Sequence, residues 1–184
     1  MPFIKTEIKG LLVFEPDVFE DVRGYFFESY NQKIFSKHGI EMNFVQDNQS
    51  SSLYGVIRGL HYQINPHAQT KLIRVLAGNI LDVVVDIRKG SPTFGKHYSI
   101  ELSAENKKQL LIPKGFAHGF SVLSNKAEVF YKCDEFYNKA NEAGFMYNDP
   151  DLNIDWQIPL EKQIISEKDL VLSSFKDHTS NFSY

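Results

Sequence analysis

Three observations predict a mainly β fold of jelly-roll type, a sandwich or barrel with a few short peripheral helices. Several segments of seven to nine residues alternate with period two, which marks strands. Turn chemistry separates them at roughly regular spacing. Helix start and stop signals are few.

The elements follow in chain order. Asn31 caps a short helix over 32–38, and Gly39 stops it. In 71–77, Lys71, Ile73 and Val75 share one face, and Leu72, Arg74 and Leu76 the other. In 80–88, Ile80, Asp82, Val84, Asp86 and Arg88 lie together, while Leu81, Val83, Val85 and Ile87 form the opposite face, read as packed core. In 127–133, Ala127, Val129, Tyr131 and Cys133 face one way. These read as half-buried antiparallel strands. The turns between strands are Ala77-Gly78-Asn79, Lys89-Gly90-Ser91-Pro92 and Pro113-Lys114-Gly115. Ser166-Glu167-Lys168-Asp169 has the form of a capping box and predicts a helix near 167–175. The polar tail DHTSNFSY is expected to be loose.

Composition narrows the function classes. A chain of 184 residues, without internal repeat or linker-like block, reads as one domain over 1–184. Its single cysteine, Cys133, rules out an internal disulfide and any four-cysteine zinc site, and reads as a packing residue. A net charge of −3 provides no basic field for nucleic acid. Residues 1–12 carry scattered charges, and the most apolar stretch is broken by Asp82 and Asp86. The expectation is a cytoplasmic protein that neither enters nor spans a membrane.

Two of the six histidines stand in suggestive settings. His61 follows Arg58-Gly59-Leu60, and His118 follows Gly115-Phe116-Ala117. Pattern alone favours hydrogen-bonded core histidines. A metal site would use His61 and His118 with Asp82 or Asp86, but Gln63 occupies the place where a second ligating histidine would stand, and an amide is a poor ligand for a transition metal. Proton transfer fits better, with His61 as base, Tyr131 as opposing acid and Lys71 as the cation for developing negative charge. Arg23 and Arg58 each precede a glycine, a setting in which guanidinium grips phosphate while the ligand nears the backbone. Strict alternation places Arg58 and His61 on opposite faces, so both reach one pocket only if the strand bulges near Gly59.

Five segments carry a resemblance: Arg23-Gly24-Tyr25-Phe26-Phe27-Glu28-Ser29-Tyr30, Phe44-Val45-Gln46-Asp47-Asn48, Val56-Ile57-Arg58-Gly59-Leu60-His61, Asp82-Val83-Val84-Val85-Asp86-Ile87-Arg88, and Ile112-Pro113-Lys114-Gly115-Phe116-Ala117-His118-Gly119-Phe120. Together, and in this order, they resemble the dTDP-4-dehydrorhamnose 3,5-epimerase family, cupin-type antiparallel jelly rolls. The resemblance implies inversion of dTDP-4-dehydro-6-deoxy-D-glucose at C3 and C5, with no redox cofactor or metal. It implies His61 as base, Asp169 as its carboxylate partner, Tyr131 as proton donor and Lys71 as the residue that stabilises the O4 enolate. Arg23, Glu28, Gln46, Asn48 and Arg58 fall on nucleotide-sugar contact positions. Tyr137 resembles a ring that stacks on thymine, His118, Glu142 and Lys168 match further ligand contacts, and Asp82 matches an acidic pocket residue. A homodimer with exchanged N-terminal strands is also implied, in which Arg23 or Glu28 serves the neighbour's site. The competing readings are inversion at a single carbon, a metal-dependent cupin enzyme, and a sugar-binding module without turnover.

Overall fold

The structure, a computed structural model, describes residues 2–184. The chain forms β1 (Phe3–Lys5), β2 (Leu12–Phe14), β3 (Phe19–Asp21), β4 (Gly24–Phe26), α1 (Gln32–Lys37), β5 (Gln46–Leu53), β6 (Val56–Gln63), β7 (Lys71–Ala77), β8 (Asn79–Asp86), β9 (His97–Ser103), β10 (Gln109–Ile112), β11 (Phe116–Val122), β12 (Lys126–Cys133), β13 (Glu142–Gly144), β14 (Ile164–Ile165) and α2 (Glu167–Leu170). Two sheets form the jelly roll. One runs β1-β2-β10-β7-β12-β5; the other runs β13-β6-β11-β8-β9, with β14 added beside β6. Strands β3 and β4 form a separate two-stranded hairpin. No helix among the described residues is long and apolar enough to cross a membrane.

The alternation read in the sequence explains the packing. Ile73 and Val75 on β7, Ile80 and Val84 on β8, and Ala127 and Val129 on β12 meet in one cluster between the two sheets. Leu72, on the other face of β7, packs outward with Phe14, Phe35 and Ile40. Strand β8 is a correction to the half-buried reading. Leu81, Val83, Val85 and Ile87 are packed as expected, but outside the barrel, against Phe145, Leu152 and Trp156. The C-terminal third lies over that sheet, so β8 is buried on both faces, and Asp82 and Asp86 are both fully buried. Such a strand reads as a near-continuous apolar run, and the two carboxylates gave it a false look of amphipathicity.

Helix α1 begins as expected: the Asn31 side chain accepts a hydrogen bond from the Lys33 amide, and Gly39 at φ 76° ends it. Six residues cannot sustain a helix alone. Phe35 anchors it, fully buried and edge-on to Phe3 and Tyr30, a burial worth roughly 3 kcal/mol. Helix α2 keeps its expected cap, since Ser166 accepts from the Asp169 amide, but it stops at Leu170 rather than near 175. Asp169 is its one buried residue, so propagation would gain little; the chain instead turns to bridge Phe145 through Ser173.

The tail expected to be loose is held. The Tyr62 hydroxyl donates to the Thr179 carbonyl, Asn181 and Asn65 exchange hydrogen bonds, and Ser183 forms a parallel bridge with Lys89. Phe182 is only 7% exposed. Polarity was a poor guide because the tail's one large apolar ring finds a place in the core.

Candidate active site

The site forms where β6 breaks its register. His61 pairs with His118 on β11, yet Arg58 pairs with Phe120. Two residues on β6, Gly59 and Leu60, therefore oppose one on β11, Gly119, the bulge that the sequence required near Gly59. Gly59 sits at φ 122°, and a Cβ there would lie 2.6 Å from Gly119 Cα. Gly119 answers in kind, since its own Cβ would lie 2.6 Å from the Arg58 carbonyl oxygen. Two glycines facing each other thus let Arg58 and His61 enter the same cavity, of about 480 Å³.

Asp169 reaches His61 across 108 residues of sequence. One carboxylate oxygen lies 2.7 Å from His61 Nε2, and the other accepts from the Gly59 amide at 3.3 Å. The bulge therefore also supplies a donor to the carboxylate. Burial alone would raise the Asp169 pKa, but the His61 hydrogen bond, the Gly59 amide and the Ser166 cap outweigh it and hold the group below the usual carboxylate range.

Tyr131 belongs to the opposite sheet and lines the same cavity. Burial pushes its pKa up and the nearby Cys133 adds to this, against an opposing pull from Arg58, so the phenol stays protonated. Lys71 begins β7 and also lines the cavity, with Nζ 5.8 Å from the centre of the Tyr131 ring. Desolvation lowers its pKa, opposed by the neighbouring Cys133, Asp82 and Glu142. Beside it, His118 Nε2 contacts both oxygens of fully buried Asp82, at 2.9 and 3.0 Å. Asp82 is thus a buried partner of His118 and does not itself line the cavity.

The remaining expected residues divide. Arg58 lines the cavity and donates to Ser52 Oγ at 3.0 Å. Gln46 and Asn48 lie beyond the cavity wall, on the face of β5 that also carries Ser50 and Ser52. Asn48 pairs with Tyr131, and Gln46 accepts from the Tyr137 amide at 3.0 Å. At the rim, the Tyr137 hydroxyl donates to Glu142, whose other oxygen lies 2.6 Å from Lys168 Nζ. That ion pair raises the Lys168 pKa; for Glu142, Lys168 and Tyr137 outweigh burial and lower it. Of these three, Lys168 lines the cavity, while Tyr137 is half exposed.

Arg23 and Glu28 are not gathered with the rest. Arg23 lies on the exposed hairpin, paired with Asp21, and Glu28 accepts from Asn31. Sequence reasoning missed Ser50, Phe120 and the β14 pair Ile164 and Ile165 as lining residues. Ser50 was legible, since it stands two positions from Asn48 on an alternating strand; β14 was not, because only tertiary pairing brings it to β6.

The metal reading finds no support in the donor set. Asp86 is occupied by Arg88, Ser91 and Thr93. Among the described residues no group of three or more His, Cys, Asp and Glu side chains is placed to hold an ion. Cys133 is buried, and burial pushes its thiol up to about 11, the behaviour of a packing residue rather than a nucleophile.

His61 and Tyr131, from opposite sheets, line one cavity together with Lys71, and these are residue types that inversion beside a carbonyl can use and simple binding does not require. The molecule is an isomerase built on a cupin-type jelly roll. The family model described as dTDP-4-dehydrorhamnose 3,5-epimerase matches residues 5–177. The sequence is 54% identical over 178 residues to the enzyme of that name from Shigella flexneri, covering 96% of this chain and 97% of that one. The crystal structure of dTDP-4-dehydrorhamnose 3,5-epimerase from Elizabethkingia anophelis superposes with a TM-score of 0.91 at 55% identity, over 95% of this chain and 96% of that one. A Legionella pneumophila 3,5-epimerase in complex with dTDP-4-keto-L-rhamnose also gives 0.91, at 48% identity, over 95% and 93%. The chain belongs to the dTDP-4-dehydrorhamnose 3,5-epimerase family, and its reaction is epimerisation of the dTDP-linked 4-dehydro sugar at C3 and C5.

Proposed function

We propose that His61, Tyr131, Lys71 and Asp169 carry this reaction within one catalytic domain that works in the cytoplasm. The observation that supports this most is that an imidazole and a protonated phenol, from opposite sheets, line a single cavity. The C4 ketone acidifies the hydrogens on C3 and C5. His61 removes one as a proton, and the C–H electron pair moves into the enolate, leaving its charge on O4. Asp169 holds Nε2 and stabilises the imidazolium, so the other ring nitrogen takes the proton. Lys71 and His118 stabilise the enolate oxygen. Tyr131 returns a proton from the opposite face, inverting the centre; before the second carbon reacts, solvent water gives a proton to the phenolate and takes one from the imidazolium, restoring both groups. Arg58, Gln46 and Asn48 bind the diphosphate and nucleoside, Tyr137 stacks on thymine, and Glu142 with Lys168 completes the rim.

Turnover in D2O tests this reading. Deuterium is expected at both C3 and C5 of the product, and label at only one carbon would establish the single-centre reaction instead. His61→Ala is expected to lose incorporation entirely while affinity for dTDP stays within about twofold. Retained incorporation removes His61 from the role of base.

The hairpin β3–β4 supports a homodimer with exchanged N-terminal strands. Phe19, Val22, Tyr25 and Phe26 are all exposed on it, an apolar surface unusual for a free hairpin. Arg23 and Glu28 would then serve the neighbour's cavity. Co-expressing Arg23→Ala with His61→Ala is expected to restore about a quarter of native activity, since half the dimers would hold one complete site. No recovery above either variant alone counts against shared sites.

A further inference from the structure

Lys71 and His118 have a second side. Besides the large cavity they line a small one, of about 10 Å³, room for one water at most. It lies at the barrel end where β6 finishes at Gln63 and where β7 and β11 begin at Lys71 and Phe116. Tyr62 and Phe182 also wall it. Their rings meet edge to face, with centroids 6.5 Å apart. The chain places Phe182 there with some care. Its carbonyl accepts from the Lys89 amide at 3.0 Å, and the neighbouring Tyr184 ring lies 5.1 Å from the Arg88 guanidinium and 5.0 Å from Lys9 Nζ. On the other side, Asn181 is tied to Asn65 by a reciprocal pair at 3.0 and 3.2 Å.

We propose that Phe182 is a positioning residue for catalysis: it plugs this end of the barrel and keeps bulk water from the rear of Lys71 and His118. The inference rests on the enolate-stabilising role assigned above to those two side chains. A cation is worth several times more to a developing enolate in a dry wall than beside water, because the local dielectric falls. Water admitted behind Lys71 would screen its charge without altering the cavity face that binds substrate.

The test is a mutant cycle with kcat and KM measured separately. Phe182→Ala is expected to lower kcat about tenfold and leave KM and dTDP affinity within about twofold. Phe182→Leu, which refills the cavity with apolar volume, is expected to recover most of the loss. In a Lys71→Ala background, Phe182→Ala is expected to cost little more, since its effect passes through that ammonium. Asn181→Ala loosens the anchor without emptying the core, and a smaller fall in kcat in the same direction is expected; this arm stands even if Phe182→Ala fails to fold. Unchanged kcat in folded Phe182→Ala overturns the proposal, as does full additivity with Lys71→Ala, or no fall in Asn181→Ala when Phe182→Ala cannot be obtained. If Lys71→Ala alone keeps native kcat, the assigned role of Lys71 fails instead, and the two failures are told apart.

Discussion

The opposite roles proposed for Tyr131 and His61 match their different surroundings. The phenol is half-buried, and its desolvation together with Cys133 and Glu142 keeps its proton on; the imidazole is part exposed and held by a carboxylate that stays ionised. Tyr131→Phe is expected to lower kcat by at least about a hundredfold, the usual range for a lost proton donor, with KM changed little. Product mixtures from that variant, analysed by NMR, should show stereochemical failure at the reprotonated centres; native kcat would assign the donor elsewhere. At this scale residue type offered His61, Tyr131 and Lys71 as candidates, although pattern alone favoured a core role for the histidine. It could not show that Asp169, an ordinary third residue of a capped helix, turns its side chain inward to 4% exposure and onto a histidine 108 positions away.

Among the elements, β6 governs the site. An unbulged β6 would place either Arg58 or His61 in the cavity, not both. Gly59→Ala puts a methyl group 2.6 Å from Gly119 Cα and 2.8 Å from the His118 carbonyl oxygen, at a φ of 122° that side chains rarely adopt. A loss of at least about 3 kcal/mol is expected from denaturant midpoints. A cost below about 1 kcal/mol would mean that β6 relaxes to regular pairing, and activity should then vanish with the geometry. The need for the bulge was legible as a conflict between alternation and function, since Arg58-Gly59-Leu60-His61 puts the two side chains out of phase. Helix α2 shows the reverse. Its start was written in Ser166, but its end depends on the bridge from Ser173 to Phe145.

Across the whole molecule, the carboxylate most committed to the fold is Asp86, which gathers the turn after β8. This fully buried carboxylate accepts from Arg88, Ser91 and Thr93, and these bonds outweigh burial to hold its pKa below the ordinary value. The folded pKa is depressed, so the contribution is present above the unfolded pKa and is lost as pH falls through the folded one. With an unfolded Asp near 3.9, it is complete above about pH 5 and fades below about pH 4. Asp86→Asn is expected to cost on the order of 3 kcal/mol at neutral pH and to flatten the acid limb of the stability curve below about pH 4. An unchanged acid limb would place the acid-labile group elsewhere. Asp86 looked like a solvent-facing strand charge; it lies on the face of β8 that carries Ile80 and Val84 into the barrel core, and its partners come from the turn that follows the strand.

Residue order alone was enough for the class of fold, the alternation of β7 and β12 and the caps of both helices, and it offered His61, Tyr131 and Lys71 as candidates. These are local properties, set by side-chain period and by hydrogen bonds within a few residues. Only the packing of distant segments settled that β8 is buried on both faces, that the tail is held against the core, that Asp169 meets His61, and that Arg23 and Glu28 stand apart from the cavity. Each of these depends on contacts between segments far apart in the chain, where the free energy comes from the apolar surface the sheets cover together, and no stretch of residues carries that information alone.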